Sequence, residues 1–217
     1  MIIEGIEFAL IPSGRFWMGA IAGDKYADDS ERPRREVWFR DAFYLSVAPI
    51  SEEQWLRIMG EGRATSLPKV MVNVSDAHRF CQSLRERTER EFRLPTEEEW
   101  EYACRADSEQ LFSGSNEISL AQANYLYSEA GNRIGVGKRV PIRSYPANEF
   151  GLFDMHGNVS EWTSSSWKKS VATNELVIRG GAWDYLPRLL RCSCRDSLPE
   201  STRRDNVGFR IVMFDSR

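Results

Sequence analysis

Alternating apolar and polar positions predict short strands in the first fifty residues of the chain. The segments Phe8–Gly14 and Phe16–Gly19 predict two strands that turn at Ser13-Gly14, because glycine takes turn conformations without steric cost. Aromatic and β-branched residues concentrate again in Glu36–Phe39 and Phe43–Val47, which predicts two more strands. The amino-terminal part of the chain is therefore expected to be rich in β-structure.

Three helices are predicted next, from capping residues and from the helical spacing of apolar residues. Ser51 with Gln54, and Thr96 with Glu99, form capping boxes in which each side chain can bond the backbone N–H of the other residue. A further helix is expected to begin near Ser75, because apolar residues then recur at i, i+3, i+4 and i+7. The glutamates around Thr96 suit the positive end of a helix dipole, so they are interpreted as capping residues rather than catalytic ones.

The middle of the chain is predicted to be irregular. Residues 107–144 are rich in loop-forming residues, and Gly157-Asn158 predicts a turn further along. Backbone carbonyls at that turn, with the side chains of Asn158 and Glu161, offer oxygen ligands of the kind that calcium prefers. A hydrogen-bonded turn without metal explains the same residues equally well, so both alternatives stay open.

The segment from Arg179 to Arg210 combines constrained ends with an irregular interior. It starts with Arg179-Gly180-Gly181 and finishes with Gly208-Phe209-Arg210, after which Ile211–Phe214 predicts a closing strand. The interior is rich in arginine and has no clean apolar periodicity. An irregular segment that is fixed at both ends is typical of a binding surface.

Composition and charge narrow the class of protein. The 217 residues carry a formal net charge of −3 and are 41% hydrophobic, which is enough to bury a core and gives no reason to expect a nucleic-acid partner. No apolar run approaches the length of a membrane span, and the first ten residues, with Glu4 and Glu7, do not resemble a signal peptide. A cytoplasmic or virus-associated protein is therefore expected.

The four cysteines are expected to be reduced thiols. Cys81 falls on the apolar face of the predicted second helix, where it would pack as a small hydrophobic residue. Cys192 and Cys194 form a C-x-C pair, but no second ligand pair with zinc-site spacing accompanies them, and the chain has only two histidines. The sequence therefore predicts no zinc site.

A series of short motifs is distributed over nearly the whole chain. In chain order they are Ile11-Pro12-x-Gly14-x-Phe16-x-Met18-Gly19, Glu31-Arg32-Pro33, Gln54-Trp55, Phe92-Arg93-Leu94-Pro95-Thr96-Glu97, Trp100-Glu101-Tyr102-Ala103, Ala123-Asn124-Tyr125, Asn148-x-x-Gly151-Leu152-x-Asp154-Met155, Gly157-Asn158-x-x-Glu161-Trp162, Arg179-Gly180-Gly181 and Gly208-Phe209-Arg210. The motifs and their order resemble the formylglycine-generating-enzyme (sulfatase-modifying factor) family. The resemblance implies an α+β, C-type-lectin-like fold over residues 1–217, as one loop-rich domain with short antiparallel strands and two or three helices.

The resemblance does not extend to the family's oxidase chemistry. That chemistry uses a pair of cysteines, and the first of the pair falls on Pro187, which has no thiol. No enzymatic activity is therefore expected, and no cofactor is required. The family's calcium turn does match Gly157, Asn158, Val159 and Glu161, so calcium bound there is expected to be structural.

The stretch from Trp183 to Arg195 reads W-D-Y-L-P-R-L-L-R-C-S-C-R. It resembles the template W-N-N-N-P-R-N-L-R-C-S-N-R in the target proteins of diversity-generating retroelements. Where the template has Asn, this chain has residue types that adenine-directed mutagenesis of an Asn codon can produce. The resemblance implies a variable region at residues 183–206, with these ligand-binding residues: Asp184, Tyr185, Leu186, Leu189, Cys194, Asp196, Ser197, Leu198, Ser201, Thr202, Arg204, Asp205 and Asn206.

This narrower resemblance implies a non-catalytic ligand-binding protein, with a protein or other macromolecule as its partner. Trp183 is expected to be a buried anchor, and diversified side chains are expected to point outward. Three arginines are expected to act as hydrogen-bonding struts for the backbone: Arg191, Arg195 and Arg210. The expected apolar contact centre consists of Tyr185, Leu186 and Leu189. Its expected polar rim consists of Asp184, Arg204 and Asp205.

Two alternative functions remain open at the level of sequence. One is an oxidase or a related metal-dependent enzyme of the same family, which predicts copper or iron binding. The other is a fixed, non-diversified interaction or sensor domain. Ordinary divergence in a binding loop would explain the residues from 183 to 206 in that second case.

Overall fold

The computed structural model describes residues 1–167 and 174–214, with three α-helices where the sequence predicts them. These are α1 (Glu52–Met59), α2 (Val74–Thr88) and α3 (Glu97–Arg105). The predicted capping boxes at the starts of α1 and α3 are present. A third capping box, formed by Asn73 and Asp76, starts α2 and was not predicted.

The strands are short and belong to three sheets. In chain order they are β1 (Ile2–Ile3), β2 (Ile6–Ile11), β3 (Gly14–Met18), β4 (Arg35–Phe39), β5 (Phe43–Ser46), β6 (Glu91–Arg93), β7 (Ser160–Ser166), β8 (Glu175–Arg179), β9 (Arg195–Pro199), β10 (Val207–Gly208) and β11 (Val212–Phe214). One sheet has the order β1-β2-β5-β11-β6, and all its neighbours are antiparallel. The closing strand β11 therefore lies inside this sheet, next to elements from the first half of the chain.

The second sheet carries the carboxyl-terminal segment. Its order is β10-β7-β8-β9, with β10 parallel to β7 and the other pairs antiparallel. Strand β9 begins at Arg195, inside the segment that the sequence predicts to be irregular. Part of the predicted variable region is therefore regular structure that pairs with β8 along its whole length.

The predicted turn at Ser13-Gly14 is present, but its strands do not pair with each other. Strand β2 lies in the five-stranded sheet, whereas β3 pairs with β4 in a separate two-stranded ribbon. A Cβ atom at Gly14 would lie 2.5 Å from the hydroxyl oxygen of Tyr102. A larger residue at this position would therefore displace the Tyr102 side chain of α3.

The largest core cluster lies where α1 and α2 pack against both larger sheets. Trp55 and Phe80 stack with ring centroids 5.5 Å apart, and Phe209 meets Phe80 edge-on at the same separation. Cys81 is buried in this cluster, as predicted, and His78 is exposed. A second cluster surrounds Trp100 and the other apolar residues of α3.

The helices of the described ranges give no candidate for a membrane span. Within residues 1–167 and 174–214, no helix combines the length and the apolar composition that crossing a bilayer requires. The architecture is α+β, as predicted, with three short helices and predominantly antiparallel strands.

Candidate ligand-binding site

The predicted variable region leaves the second sheet through a double-glycine turn. Gly180 and Gly181 follow β8 with φ angles of 91° and 71°, in the left-handed region that favours glycine. A Cβ atom at Gly181 would lie 2.9 Å from the carbonyl oxygen of Leu189. The turn thus brings the start of the variable region against its own short 3-10 helix, Pro187–Leu190.

Arg179 fixes the backbone that follows this short helix. Its guanidinium donates hydrogen bonds of 2.7–2.9 Å to three consecutive carbonyl oxygens, those of Cys192, Ser193 and Cys194. The same group pairs with the carboxylate of Glu101 at 2.5 Å, so its buried charge is compensated. Sequence reasoning missed this strut, although the Arg179-Gly180-Gly181 motif marks its position.

The three predicted struts are present, and each joins distant parts of the chain. Arg191 is bound by both carboxylate oxygens of Glu31 at 2.8 Å, and Arg195 by both oxygens of Glu97 at 2.7 and 2.8 Å. Arg210 pairs with a buried glutamate and also donates to the carbonyl oxygens of Ser46 and Phe153. The side-chain frame under the variable region therefore consists of charge-paired arginines, of which Arg191 and Arg210 are buried and Arg195 is half-buried.

A cavity of about 310 Å³ opens beside this frame. Four predicted variable residues line it: Tyr185, Leu189, Cys194 and Asp196. Framework residues complete the lining, among them Tyr26, Gly180, Arg179, Arg191 and Arg195. The fold thus brings together variable residues from the short helix, the following loop and β9.

The predicted variable residues differ widely in exposure. Five are exposed: Leu189, Asp196, Ser201, Arg204 and Asp205. Six are half-buried: Asp184, Tyr185, Leu186, Cys194, Ser197 and Thr202. Leu198 and Asn206 are buried, so the expectation that the whole set points outward is wrong for these two residues. Leu198 packs in the main core cluster, and the side-chain amide of Asn206 donates to Asp184.

Two further expectations about side-chain roles need correction. Trp183 is half-buried rather than a buried anchor. Of the proposed apolar centre, Tyr185 packs in part against a small core cluster that includes Phe112 and Leu190, while Leu189 is 36% exposed. The apolar centre is therefore partly built into the frame, because Tyr185 closes one side of that cluster.

The electrostatics of the cavity disfavour ionised nucleophiles. Burial, followed by the Glu31 carboxylate, raises the pKa of the Cys194 thiol to about 12. Burial, together with the carboxylates of Asp196 and Asp184, also raises the pKa of Tyr185. Both groups stay protonated at neutral pH, so the cavity offers hydroxyl, thiol and apolar contacts rather than a thiolate.

The turn predicted to bind calcium has its side-chain oxygens in use by protein donors. Both oxygens of Glu161 accept hydrogen bonds from Arg210, and one also accepts from the indole of Trp100. The Asn158 side-chain oxygen accepts from Asn124 and from the backbone N–H of Val140. In this conformation the side-chain oxygens are occupied by these hydrogen bonds, and calcium at Gly157, Asn158, Val159 and Glu161 stays a prediction.

The same turn supports the start of the variable region. The carbonyl oxygen of Asn158 accepts a hydrogen bond from the backbone N–H of Trp183 at 3.1 Å. Gly157 has a φ angle of 77°, and a Cβ atom there would lie 2.3 Å from the carbonyl oxygen of Asn124. Glycine is required at this position by backbone contact, with or without a metal.

Sequence reasoning also missed a cluster of three metal-ligating side chains. The Sγ atoms of Cys104 and Cys192 lie 3.6 Å apart, and the Nε2 atom of His156 lies 3.9 Å from Cys104 Sγ. These residues come from three separate segments, so no local spacing motif identifies them. Pro187, at the position of the oxidase's first cysteine, begins the short 3-10 helix and supplies no ligand.

Comparison with protein families and curated proteins finds a family that matches nearly the whole chain and relatives that match about three quarters of it. The family described as "Sulfatase-modifying factor enzyme 1-like domain" matches residues 4–214. The chain is 29% identical to the formylglycine-generating enzyme of Mus musculus, over 78% of this chain and 53% of the enzyme. It is also 29% identical to the inactive C-alpha-formylglycine-generating enzyme 2 of Mus musculus, over 76% of this chain and 56% of that protein. The chain thus spans little more than half the length of these two relatives.

Solved structures share the fold over nearly the full length of both partners. The structure of PvdO from Pseudomonas aeruginosa has a TM-score of 0.84 and 25% sequence identity, and covers 97% of this chain and 95% of PvdO. Treponema denticola variable protein 1 has a TM-score of 0.79 and 20% identity, with 94% of each chain covered. The predicted C-type-lectin-like α+β fold is confirmed.

Proposed function

The chain belongs to the sulfatase-modifying factor enzyme 1-like family, and we propose that it is a non-catalytic ligand-binding protein with a sequence-diversified surface. The proposed surface is the variable region at residues 183–206, of the kind produced by diversity-generating retroelements. One observation carries the proposal. Tyr185, Leu189, Cys194 and Asp196 line a single cavity, while Arg179 holds the backbone beneath them through three carbonyl oxygens.

The frame tolerates changes of side chain because it bonds to backbone atoms. Arg179 donates to carbonyl oxygens, which every residue type possesses, so a substitution at Cys194 leaves these hydrogen bonds in place. The carbonyl oxygen of Tyr185 likewise accepts from the backbone N–H groups of Leu126 and Tyr127. Side chains in the cavity can therefore change without removing the contacts that fix the loop.

The cavity and its surroundings have the chemistry of a recognition surface. Tyr185 supplies aromatic area at small entropic cost, Leu189 adds apolar area, and Asp196 supplies charge at the edge. Ser201, Arg204 and Asp205 are exposed outside the cavity. The cavity volume of about 310 Å³ is at the small end of the range for small-molecule pockets, and the proposed variable residues extend beyond the cavity. A protein or other macromolecule is therefore the proposed ligand.

The proposal of no catalysis rests on the absence of a competent nucleophile among the cavity-lining residues. Pro187 stands where the family's oxidase has the first cysteine of its pair, and the raised pKa of Cys194 keeps that thiol protonated. Ligand binding of this type needs no cofactor. The fold shared with a solved protein named as a variable protein supports the use of this scaffold for display.

The first test is a search of the DNA that flanks the gene. A near-copy of the codons for residues 183–210 that differs only at adenines, beside a reverse transcriptase gene, is the expected result. The codons for Phe92–Glu101 serve as the internal control, because a framework motif should have no such copy. Absence of both the repeat and the transcriptase would overturn diversification, and a fixed interaction domain would then be favoured.

The second test measures tolerance and binding separately. A display library randomised at Leu189, Cys194 and Asp196, with Tyr185 restricted to aromatic residues because it packs against a core cluster, should fold at nearly wild-type frequency and should yield binders to several unrelated purified proteins. A matched library at four framework positions, Arg179, Arg191, Arg195 and Arg210, should mostly fail to fold. Equal failure of both libraries, or copper-dependent oxygen uptake by the wild-type chain, would contradict the proposal.

A further inference from the structure

Three side chains from distant parts of the sequence meet beneath the start of the variable region. Cys104 lies at the end of α3, His156 precedes β7, and Cys192 follows the short 3-10 helix. Their ligand atoms all lie within 4.8 Å of one another, and both cysteines are fully buried. Sulfur and imidazole ligands that converge in this way are the donor set of zinc and other thiophilic cations.

The separations match the edges of a zinc coordination tetrahedron. Two sulfur ligands at about 2.3 Å from a tetrahedral centre lie about 3.8 Å apart. The observed separation of the Cys104 and Cys192 sulfurs is 3.6 Å, and Cys104 Sγ lies 3.9 Å from His156 Nε2. Small side-chain movements would therefore place all three atoms at bonding distance from one ion.

His156 is held in the orientation and tautomer that a metal ligand needs. Its Nδ1 atom lies 2.7 Å from the carbonyl oxygen of Leu190, which can only accept, so Nδ1 carries the proton. In this conformation the lone pair of the unprotonated Nε2 atom accepts from the backbone N–H of Ser113 at 3.1 Å, so an ion would bind His156 by displacing that hydrogen bond. Metal-bound histidines are commonly oriented by such a bond from the second ring nitrogen.

The cluster has a route to solvent and a candidate fourth ligand. A cavity of about 110 Å³ lies beside His156 and is lined in part by Ser113, Leu152 and Met155. The Ser113 hydroxyl oxygen lies 2.9 Å from His156 Nε2, and a water molecule in the cavity could occupy the same side. The cavity is lined by His156 and Ser113 but by neither cysteine, so an ion would reach the two sulfurs only past the half-buried histidine.

We propose that Cys104, His156 and Cys192 form a zinc(II) site that ties α3 to the base of the variable region. Binding converts two thiols and one neutral imidazole to a Zn(thiolate)₂(imidazole) centre and releases two protons to solvent. The two thiolates neutralise the charge of the ion, so the buried centre carries no net charge. This inference is independent of the proposed diversification of the surface.

The site differs from the cysteine pair of the related oxidases. The resemblance matches Cys192 to the second cysteine of that pair and Pro187 to the first, so the proposed site shares one residue with the pair. Its other two ligands, Cys104 and His156, lie outside the variable region. The proposed role is positional. Zinc would fix the side chain of Cys192. The carbonyl oxygen of Cys192 already accepts from Arg179, and the neighbouring Arg191 is already paired with Glu31.

The test uses the full chain, freed of metal by chelation and kept reduced. Addition of zinc should give one bound ion per chain by elemental mass spectrometry, and cobalt(II) in its place should give thiolate-to-metal charge-transfer absorption. Cys104→Ser and Cys192→Ser should lose stoichiometric binding, and His156→Gln should weaken it at least about tenfold. Cys81→Ser and Cys194→Ser are the matched controls and should bind zinc as the wild type does.

Two further readouts decide the result if a cysteine variant does not fold. In the wild-type chain, zinc should protect Cys104 and Cys192, but not Cys194, from alkylation under mild denaturation, as mapped by peptide mass spectrometry. His156 is half-buried, so its variant should fold and still show the weakened binding. Absence of zinc binding, unchanged binding in His156→Gln, or a Cys104–Cys192 disulfide in place of metal would overturn the proposal.

Discussion

Arg179, Arg191 and Arg210 are buried arginines whose guanidinium groups bond to both carboxylates and backbone carbonyls. The carboxylates come from segments far away in the sequence, such as Glu31 for Arg191 and Glu101 for Arg179. A buried charge without a partner is costly, so each arginine requires its glutamate for the fold to be stable. At this scale the sequence predicts that Arg191 and Arg210 are struts but misses Arg179, and it contains no local signal for the partners of any of the three.

Removal of Arg210 is expected to destabilise the protein strongly. Arg210→Met leaves the carboxylate of Glu161 buried without its ion pair, which should lower the free energy of unfolding by about 3–5 kcal/mol. Urea denaturation followed by tryptophan fluorescence measures the change. Arg15→Ala, which breaks an exposed pair with Glu36, is the control and should change stability by less than about 1 kcal/mol. Equal effects of the two substitutions would contradict the buried-strut interpretation.

Individual positions of the variable region are expected to differ in tolerance. Leu198 is only 5% exposed and packs in the main core, so Leu198→Ala should cost about 2–5 kcal/mol of unfolding free energy. Asp205 is exposed, and Asp205→Ala should change stability by less than about 0.5 kcal/mol. Thermal unfolding of both variants checks this difference in tolerance between the buried and the exposed position. A small loss for Leu198→Ala would mean that this side chain is free to diversify.

The helices were predictable because their starting signals are local. Ser51 with Gln54 and Thr96 with Glu99 form the expected boxes, since each involves residues only three positions apart. Strand β9 was not predictable in the same way. Its residues 195–199 lack apolar alternation, and its pairing with β8 depends on a turn and a short helix that lie between them.

The start of α2 provides a prediction with a defined pH dependence. Burial raises the pKa of Asp76, but the backbone N–H of Asn73 and the cations Arg79 and Arg203 outweigh it, so the pKa lies below the usual 3.8. A lowered folded pKa contributes stability that is present above pH 3.8 and is lost as the pH falls through the folded value. Asp76→Asn should therefore cost about 1 kcal/mol at pH 7 and progressively less on acidification.

Urea titrations at pH 7, 4 and 3 test this prediction on the wild type and the variant together. Glu86→Gln, on the exposed side of α2, is the control and should show a small difference at every pH. A difference between Asp76→Asn and wild type that grows as the pH falls would contradict the assigned sign. Such a result would mean that burial dominates the carboxyl group.

Over the whole molecule, the resemblance of the motifs to a known family predicted more of the fold than the periodicity of apolar residues could. Strand alternation located β2 and β5, but it could not show that β3 pairs with β4 in a separate ribbon, because alternation within a strand does not specify its partner. Five residues of the proposed surface at 183–206 are exposed as expected, and their role in ligand binding stays a prediction. The expectation of exposure was wrong for Leu198 and Asn206, and at Leu198 burial is decided by α2 and the sheets rather than by the neighbouring residues.

The two ends of the described chain lie in one sheet but at different places in it, which gives a prediction for the molecule as a whole. Strand β11 lies between β5 and β6, and its Val212 and Met213 are fully buried. A chain truncated after Arg210 would therefore lose two strand pairings and a part of both main core clusters. The loss should exceed about 5 kcal/mol, which is comparable to the whole stability of a domain. Such a chain is expected to lack a cooperative thermal transition.

Strand β1 supplies the matched comparison, because it lies at the edge of the same sheet and pairs only with β2 in that sheet. Its Ile2 is 70% exposed, so a chain that starts at Glu4 should still fold, with a lower transition temperature. Circular dichroism during heating distinguishes the two truncations. If both chains fold with similar stability, β11 is not an integral part of the core. If neither folds, the sheet is a single cooperative unit that includes its edge.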